Sequence, residues 1–348
     1  YRGYAIGDLA EWSRFEEVAY LLLIGHLPTR SELDSFSTLL RGHRVLPDPV
    51  QRFIDSLQPG LHPMDVLRTG ISLLGLSDPD AQVGSHEANL RKSMRLLSQI
   101  PLLIAHSYRV MSGILPPRQD ESRDFAQHLL HLVAGHKDGE TGTAMAQALN
   151  VSLILYAEHE FNASTFAARV TASTLTDLHG AITAAVATLK GPLHGGANEA
   201  VASMLIEIGS PERAETWVRE ALAQKRRVMG FGHRVLRQGD ARSAIIQRHA
   251  ERLSHLCGDH SWYDIASTLH RIMREEKGLH PNLDFYTAVA YLLMGIPREL
   301  STPLFVCSRI TGGCAHVMEQ QEHNRLIRPR ALYTGPAPRT YEPLDRRP

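Results

Sequence analysis

Leu189-Lys190-Gly191-Pro192-Leu193-His194-Gly195-Gly196-Ala197-Asn198-Glu199-Ala200 is the stretch around which the chain is organised. The residues before it, 165–189, are rich in Ala, Thr and Leu, with Gly180 the only glycine. They predict one long buried helix. Gly191-Pro192 stops that helix, because proline cannot continue it and glycine tolerates the left-handed turn that ends one. His194 follows at once, with two glycines behind it that let the backbone approach a ligand closely. Such a turn can present an imidazole to a small molecule. It can equally be a plain helix stop whose histidine caps a carbonyl.

Outward from this stretch, nearly every segment reads helical. Ser13-Arg14-Phe15-Glu16 and Thr29-Arg30-Ser31-Glu32 have capping-box spacing, with the first residue capping the N3 amide and the glutamate reaching back. They open helices over 15–24, ended by Gly25, and to about residue 40. Pro47-Asp48-Pro49 breaks the chain before another helix. His62-Pro63-Met64-Asp65 starts one with Val66, Leu67, Ile71 and Leu74 on one face. Segments 93–112 (kinked at Pro101), 124–134, 141–157, 264–276, 285–293 and 302–322 continue the series. Ser210-Pro211-Glu212 is a further start, with Ser at the N-cap and Pro at the first helical position. No period-2 strand pattern, Asn-Gly hairpin or internal repeat interrupts it. The fold class is all-α. Residues 116–121 form a polar loop. The Pro- and Arg-rich tail from Ala331 is expected to wrap a neighbouring surface.

The chain has 348 residues, with 37 Lys+Arg against 37 Asp+Glu. That balance leaves no electrostatic footprint for nucleic acid or an anionic membrane. The longest apolar run, 18–24, is far below the roughly 20 residues that span a bilayer. Cys257, Cys307 and Cys314 have no CxxC spacing, which argues against a structural zinc or a disulfide framework and for a reducing cytoplasm. No signal peptide is visible, and a further N-terminal piece is expected ahead of Tyr1.

Several residues are of types that carry chemistry. Asp284, in Pro281-Asn282-Leu283-Asp284-Phe285-Tyr286, stands at a helix start among apolar neighbours. It reads as an N-cap, or, if desolvated, as a general base of raised pKa. Gly230-Phe231-Gly232 before His233 exposes backbone amides to an adenine or a phosphate, although a GxG alone is also an ordinary turn. Arg242, Arg309 and Arg328 read as surface charge or as clamps for a dicarboxylate. His159 reads as a ligand or as a core histidine closing an apolar helix. His128 and His131 lack a third metal ligand, and no HExxH is present, so no metal is expected. One carboxylate base, two histidines and several arginines together suit proton abstraction next to a carbonyl, with an anionic acceptor.

These motifs resemble the three active-site motifs of the citrate synthase family: 191–198 around His194, Gly230-Phe231-Gly232-His233-Arg234-Val235, and Pro281 through Tyr286. Tyr1-Arg2-Gly3-Tyr4, residues 15–22, His159-Glu160-Phe161-Asn162-Ala163-Ser164-Thr165 and Arg328-Pro329-Arg330 are similar to further family signatures. The resemblance runs through essentially the whole chain in order. It implies a nearly all-helical homodimer with a large domain (1–195 and 296–348, dimerisation and acceptor site) and a small one (196–295, CoA binding and closure). It implies condensation of acetyl-CoA with oxaloacetate and water to citrate and CoA, through an enol and citryl-CoA, with no metal or other cofactor. By the same resemblance Asp284 is the base, His194 stabilises the enol, and His233 polarises the ketone. His159, Arg242, Arg309 and Arg328 hold oxaloacetate, Arg328 from the partner subunit. Met229, Gly230, Phe231 and Gly232 lie against the CoA adenine.

The chain departs from the family pattern around the acceptor site. Leu236 stands where the family usually has Tyr, Asp240-Ala241-Arg242 for Asp-Pro-Arg, Tyr156-Ala157-Glu158-His159 for His-Ala-Asp-His, and Gly312-Gly313 for Gly-Trp. A 2-methylcitrate synthase using propionyl-CoA is the near alternative, since one methylene changes discrimination by only about 1–3 kcal/mol. A catalytically weak paralogue serving as an oligomeric scaffold is the alternative of another class.

Overall fold

The computed structural model describes residues 1–115, 122–135, 137–232 and 240–348. His233, Leu236 and the 116–121 loop lie outside the described residues. Within them, α1 (Ile6–Trp12), α2 (Phe15–Ile24), α3 (Arg30–Gly42) and α4 (Asp48–Asp55) come first. α5 (Pro63–Ser77) and α6 (His86–Met111) follow, then α7 (Phe125–Ala134) and α8 (Gly139–Tyr156). α9 (Ala163–Ala172) and α10 (Leu178–Leu189) lead into the His194 turn. Beyond it are α11 (Ala197–Ile208), α12 (Pro211–Ala223), α13 (Ala241–Cys257), α14 (Ser261–Lys277) and α15 (Leu283–Met294), and α16 (Ser301–Glu322) is last. The all-α expectation holds: among the described residues the sole β feature is one isolated bridge, Phe231 to Pro281.

The core follows from composition. α2, α8, α15 and α16 carry apolar or small residues on almost every side and are buried along most of their length. A helix without a polar face has nowhere to go but the interior. α16 accordingly packs against α2, α6, α8, α9 and α10. Beyond the His194 turn, α11 packs on α15, α12 on α14, and α13 on both α15 and α8.

Several local expectations are corrected. The stretch 165–189 is two helices. Asp177 accepts a hydrogen bond from the Gly180 N–H (3.0 Å) and caps α10, while Leu175 takes a positive φ of 66° in the turn before it. A side-chain cap thus overrides a continuous apolar composition. The box at Ser13 sits one residue later. Arg14 is the N-cap of α2, and Glu17 accepts from its N–H at 2.7 Å. The box at Thr29 and Glu32 forms as expected. α6 begins at His86, well before 93, and continues through Pro101 to Met111. α1, α11 and α13 are helices absent from the sequence-derived series.

Glu16, freed from the box, is buried and accepts a hydrogen bond from the Phe125 N–H at the start of α7 (2.7 Å). Burial pushes its carboxyl above the usual glutamate range, opposed by that hydrogen bond. A raised carboxyl pKa contributes stability that is complete below the unfolded value and lost as pH rises through the folded one. Urea unfolding should therefore show the native protein losing stability relative to Glu16→Gln as pH is raised past the ordinary glutamate range. Glu16→Ala, which leaves the Phe125 N–H unpaired, should cost about 1–3 kcal/mol.

Candidate active site

The helix before His194 ends at Leu189 with Lys190 as its C-cap, and Gly191 does not take the left-handed conformation expected of it. The His194 N–H donates to the Gly191 carbonyl (2.9 Å) and the Gly195 N–H to the Leu189 carbonyl (3.0 Å). A Cβ on Gly195 would come within 2.5 Å of that same oxygen. The imidazole does not cap a carbonyl. Its Nε2 accepts a hydrogen bond from the Ser164 N–H (3.2 Å) and lies 2.8 Å from the Ser164 hydroxyl. Ser164 is in the first turn of α9, capped by Asn162. A backbone N–H has a fixed direction, so Nε2 must offer its lone pair and the neutral ring carries its proton on Nδ1. Burial, with Arg309 adding to it, pushes the His194 pKa down to about 4. The positive end of α9 acts in the same sense. His194 is thus a neutral Nδ1–H donor at physiological pH.

Asp284 does not cap its helix. Asn282 does, accepting from the Asp284 N–H at 3.1 Å. The Asp284 carboxylate instead accepts from the Tyr156 hydroxyl at the end of α8 (2.7 Å). Desolvation raises its pKa, against the Tyr156 hydrogen bond and the charges of Arg242 and Arg309. That is the state of a carboxylate suited to accept a proton from carbon.

Phe305 and Arg309, one turn apart on α16, link these groups. The Phe305 ring stacks on Tyr156 (centroids 4.3 Å), meets the His194 ring edge-on (6.3 Å) and lies under the Arg309 guanidinium (4.6 Å). Arg309 donates from Nε to the Tyr156 carbonyl (2.7 Å). Burial lowers its pKa to about 10, which still leaves it charged. Arg242 starts α13 and is gripped by Asp240, at 2.9 Å through Nε and 2.8 Å through Nη2. Its Nη1 points to the Leu155 carbonyl, 3.4 Å away. Tyr1 lies against the end of α8: its hydroxyl donates to the Ile154 carbonyl (2.9 Å), with the Glu158 carbonyl at 3.1 Å, and burial raises its pKa to about 12.

Met229 to Gly232 run beside the start of α15. The Asn282 N–H donates to the Gly230 carbonyl (2.9 Å), the Gly232 N–H to the His280 carbonyl (3.0 Å), and Asn282 Nδ2 to the Gly232 carbonyl (3.2 Å). Phe231 packs on Phe285 at 4.6 Å. Asn282 therefore anchors both Asp284 and the segment 229–232. His159 is half-buried in the turn after α8, where Asn162 Nδ2 donates to its carbonyl (3.3 Å). Arg328 is exposed beyond α16, next to Ile327, whose N–H donates to Ser173 Oγ. The structure thus brings His194, Asp284, Arg242 and Arg309 around the end of α8 and leaves Arg328 outside that cluster. A separate cavity of about 610 Å³, lined by Arg41, Arg44, Gln51, Leu102 and His106 among others, holds none of the motif residues.

The family model of the citrate synthase C-terminal domain matches residues 1–330. The chain belongs to the citrate synthase family. Citrate synthase 2 of Bacillus subtilis is 44% identical over 348 residues, covering 100% of this chain and 93% of the relative. The 2-methylcitrate synthase of Shewanella oneidensis is also 44% identical over 348 residues, covering 100% and 91%. The solved structure of citrate synthase from the archaeon Thermoplasma acidophilum, a ternary complex with carboxymethyl coenzyme A and oxaloacetate, has a TM-score of 0.89. It is 34% identical, with coverage of 99% of this chain and 92% of that one. The protein is an acyltransferase of the citrate synthase type, and these relatives carry enzyme names that lend no support to a scaffold role.

The departures from the usual citrate synthase pattern fit one another. Glu158, longer than the usual Asp, reaches His316 (Oε2 to Nε2, 3.1 Å). His316 Nδ1 accepts from Arg169 Nε (2.8 Å), so its proton sits on Nε2, facing Glu158. A Cβ on Gly312 would meet Glu158 Oε2 and the Ala157 carbonyl at 2.4 Å, so glycine is what this packing admits. Arg309 has the Phe305 ring beside it in place of a bulky residue at 313. Ala241 opens α13 as a good helix former, and Asp240 caps that helix from its side chain (3.1 Å to the Arg242 N–H). Sequence reasoning missed Phe305 and did not assign Ser164 or Asn198 any role. Phe305 stands four residues before Arg309 on the same helix face, which was a usable signal.

Gly230 combines a φ of 80° with Phe285 and Val201 atoms 2.8 Å from where its Cβ would lie. Gly230→Ala should cost about 2 kcal/mol or more in urea unfolding. It should also raise the KM for the acyl-CoA in a thiol-release assay, through displacement of the 229–232 segment.

Proposed function

We propose that the protein makes citrate from acetyl-CoA, oxaloacetate and water. The observation that carries this reading is the pairing of a neutral, Nδ1-protonated His194 with a desolvated Asp284 around one aromatic wall. Asp284 takes a proton from the methyl carbon of the acyl group, and the C–H electron pair becomes the C=C bond of the enol. His194 Nδ1–H stabilises the charge that develops on the thioester oxygen, a donor fixed in advance where the charge appears. The enol carbon then attacks the ketone of oxaloacetate. His233, outside the described residues, protonates the new alkoxide, and water cleaves the thioester of citryl-CoA.

Arg242, Arg309 and His159 hold the oxaloacetate carboxylates, with Arg328 supplied by the partner of a homodimer. The dimer is supported by large apolar side chains left exposed at Leu76, Phe166, Leu175 and Leu193 and along the tail at Leu332. Residues 196–295 form the smaller, closing domain, and 1–195 with 296–348 the larger. Met229 to Gly232 line the CoA adenine. The ternary complex of the Thermoplasma acidophilum enzyme supports this pairing of a CoA thioether with oxaloacetate. A cytoplasmic location agrees with three free thiols. Equal identity to a 2-methylcitrate synthase makes propionyl-CoA the second donor to test.

Thiol release from acetyl-CoA and from propionyl-CoA, each with oxaloacetate, decides the name. Higher kcat/KM with acetyl-CoA is the expected result, and the reverse makes it a 2-methylcitrate synthase. Asp284→Asn should lower kcat by about 10²–10⁴-fold with the fold intact by circular dichroism. Mixing inactive Arg328→Ala and Asp284→Asn subunits should restore activity, because one site of each mixed dimer then has both groups intact. No restoration would place Arg328 in its own subunit's site or outside catalysis.

A further inference from the structure

Tyr156 occupies the place where the family usually has histidine, and its hydroxyl meets the base. We propose that Tyr156 is a positioning residue for Asp284: its hydroxyl holds Oδ1 and stabilises the carboxylate, leaving Oδ2 to take the substrate proton. This rests on Asp284 being the base.

The geometry leaves the phenol little freedom. Tyr156 is 3% exposed. Its ring is fixed by Phe305 and its carbonyl by Arg309 Nε. Asn198, 1% exposed, donates from Nδ2 to the phenol oxygen (3.1 Å). With that lone pair used, the hydroxyl hydrogen goes to Asp284 Oδ1 at 2.7 Å. Among the described residues no other side chain hydrogen-bonds the carboxylate. Asn198 therefore sets the direction of the phenol, and the phenol sets which carboxylate oxygen is occupied.

Among the described residues the charged groups facing Asp284 are Arg242 at the start of α13, Arg309 on α16 and Asp240 ahead of α13; Tyr156 on α8 and Tyr291 on α15 are the neutral titratable ones. Burial works against ionisation of Asp284, while the Tyr156 hydrogen bond and the two arginines favour it. A base must be ionised to act, so turnover falls on the acid side of its pKa. Removing a hydrogen bond to the carboxylate raises that pKa and moves the acid limb to higher pH.

The test is the pH profile of kcat/KM for acetyl-CoA at saturating oxaloacetate, for the native enzyme and for Tyr156→Phe. Phenylalanine keeps the ring on Phe305, and unfolding midpoints check the fold. The acid limb of Tyr156→Phe should move up by about one pH unit or more. The alkaline plateau and the KM for oxaloacetate should stay within a few-fold, since the acceptor clamps are untouched. Asn198→Ala, which frees the phenol to rotate, should move the limb in the same direction by less. Unmoved acid limbs in both folded variants would overturn the proposal. Asp284→Asn separates this from the reading beneath it. If Asp284→Asn retains turnover, the base is elsewhere; if it abolishes turnover while the limbs stay fixed, the base stands and Tyr156 only fills space.

Discussion

A protein made of helices most readily brings polar groups together where helices begin and end, because the unpaired backbone groups lie there and inward side chains within a helix are mostly apolar. The candidate site residues follow that pattern, except for Arg309, which lies within α16 and is held by the Tyr156 carbonyl. Asp284 is in the first turn of α15, Arg242 in the first turn of α13, Tyr156 at the end of α8, and His194 in the turn between α10 and α11. The first turn of α9 contributes a free N–H to His194. The site is a meeting of helix termini, and the capping side chains Asn162, Asp240 and Asn282 keep those termini in place.

Desolvation then separates the roles of the ionisable groups. Burial moves a histidine down and a carboxylate up. The result is a neutral imidazole and a carboxylate of raised pKa within the same set of helix ends. Arg309 withstands the same burial because guanidinium starts so high that a shift to about 10 leaves it charged. The residue types found at the site are those whose useful ionisation states survive removal from water.

The residues that depart from the expected motif pattern act through packing. Glu158 reaches His316 because Gly312 leaves room for it. Tyr156 reaches Asp284 because Asn198 and Phe305 hold the phenol in place. Tyr156 lies against Asp284 and Glu158 against His316, so the three motifs remain recognisable while the packing beside them is reshaped.

The sequence by itself determined the all-α class, the box at Thr29, the helix stop at Gly191-Pro192 and, through the three motifs, the family and the identities of His194, His233 and Asp284 as candidates. These are local or pattern properties: a cap, a breaker or a fixed spacing is legible without knowing what lies across the core. It misplaced the cap of α2 and fused α9 with α10, because competing caps a residue or a turn apart are settled by what each side chain meets after folding. Glu16 met the Phe125 N–H, 109 residues away. Only the tertiary structure decided that His194 accepts from Ser164, that Asp284 faces Tyr156, and that Arg309 holds the Tyr156 carbonyl. Tautomer, hydrogen-bond partner and desolvation are set by neighbours distant in sequence, 128 residues away between Tyr156 and Asp284. No local pattern encodes them.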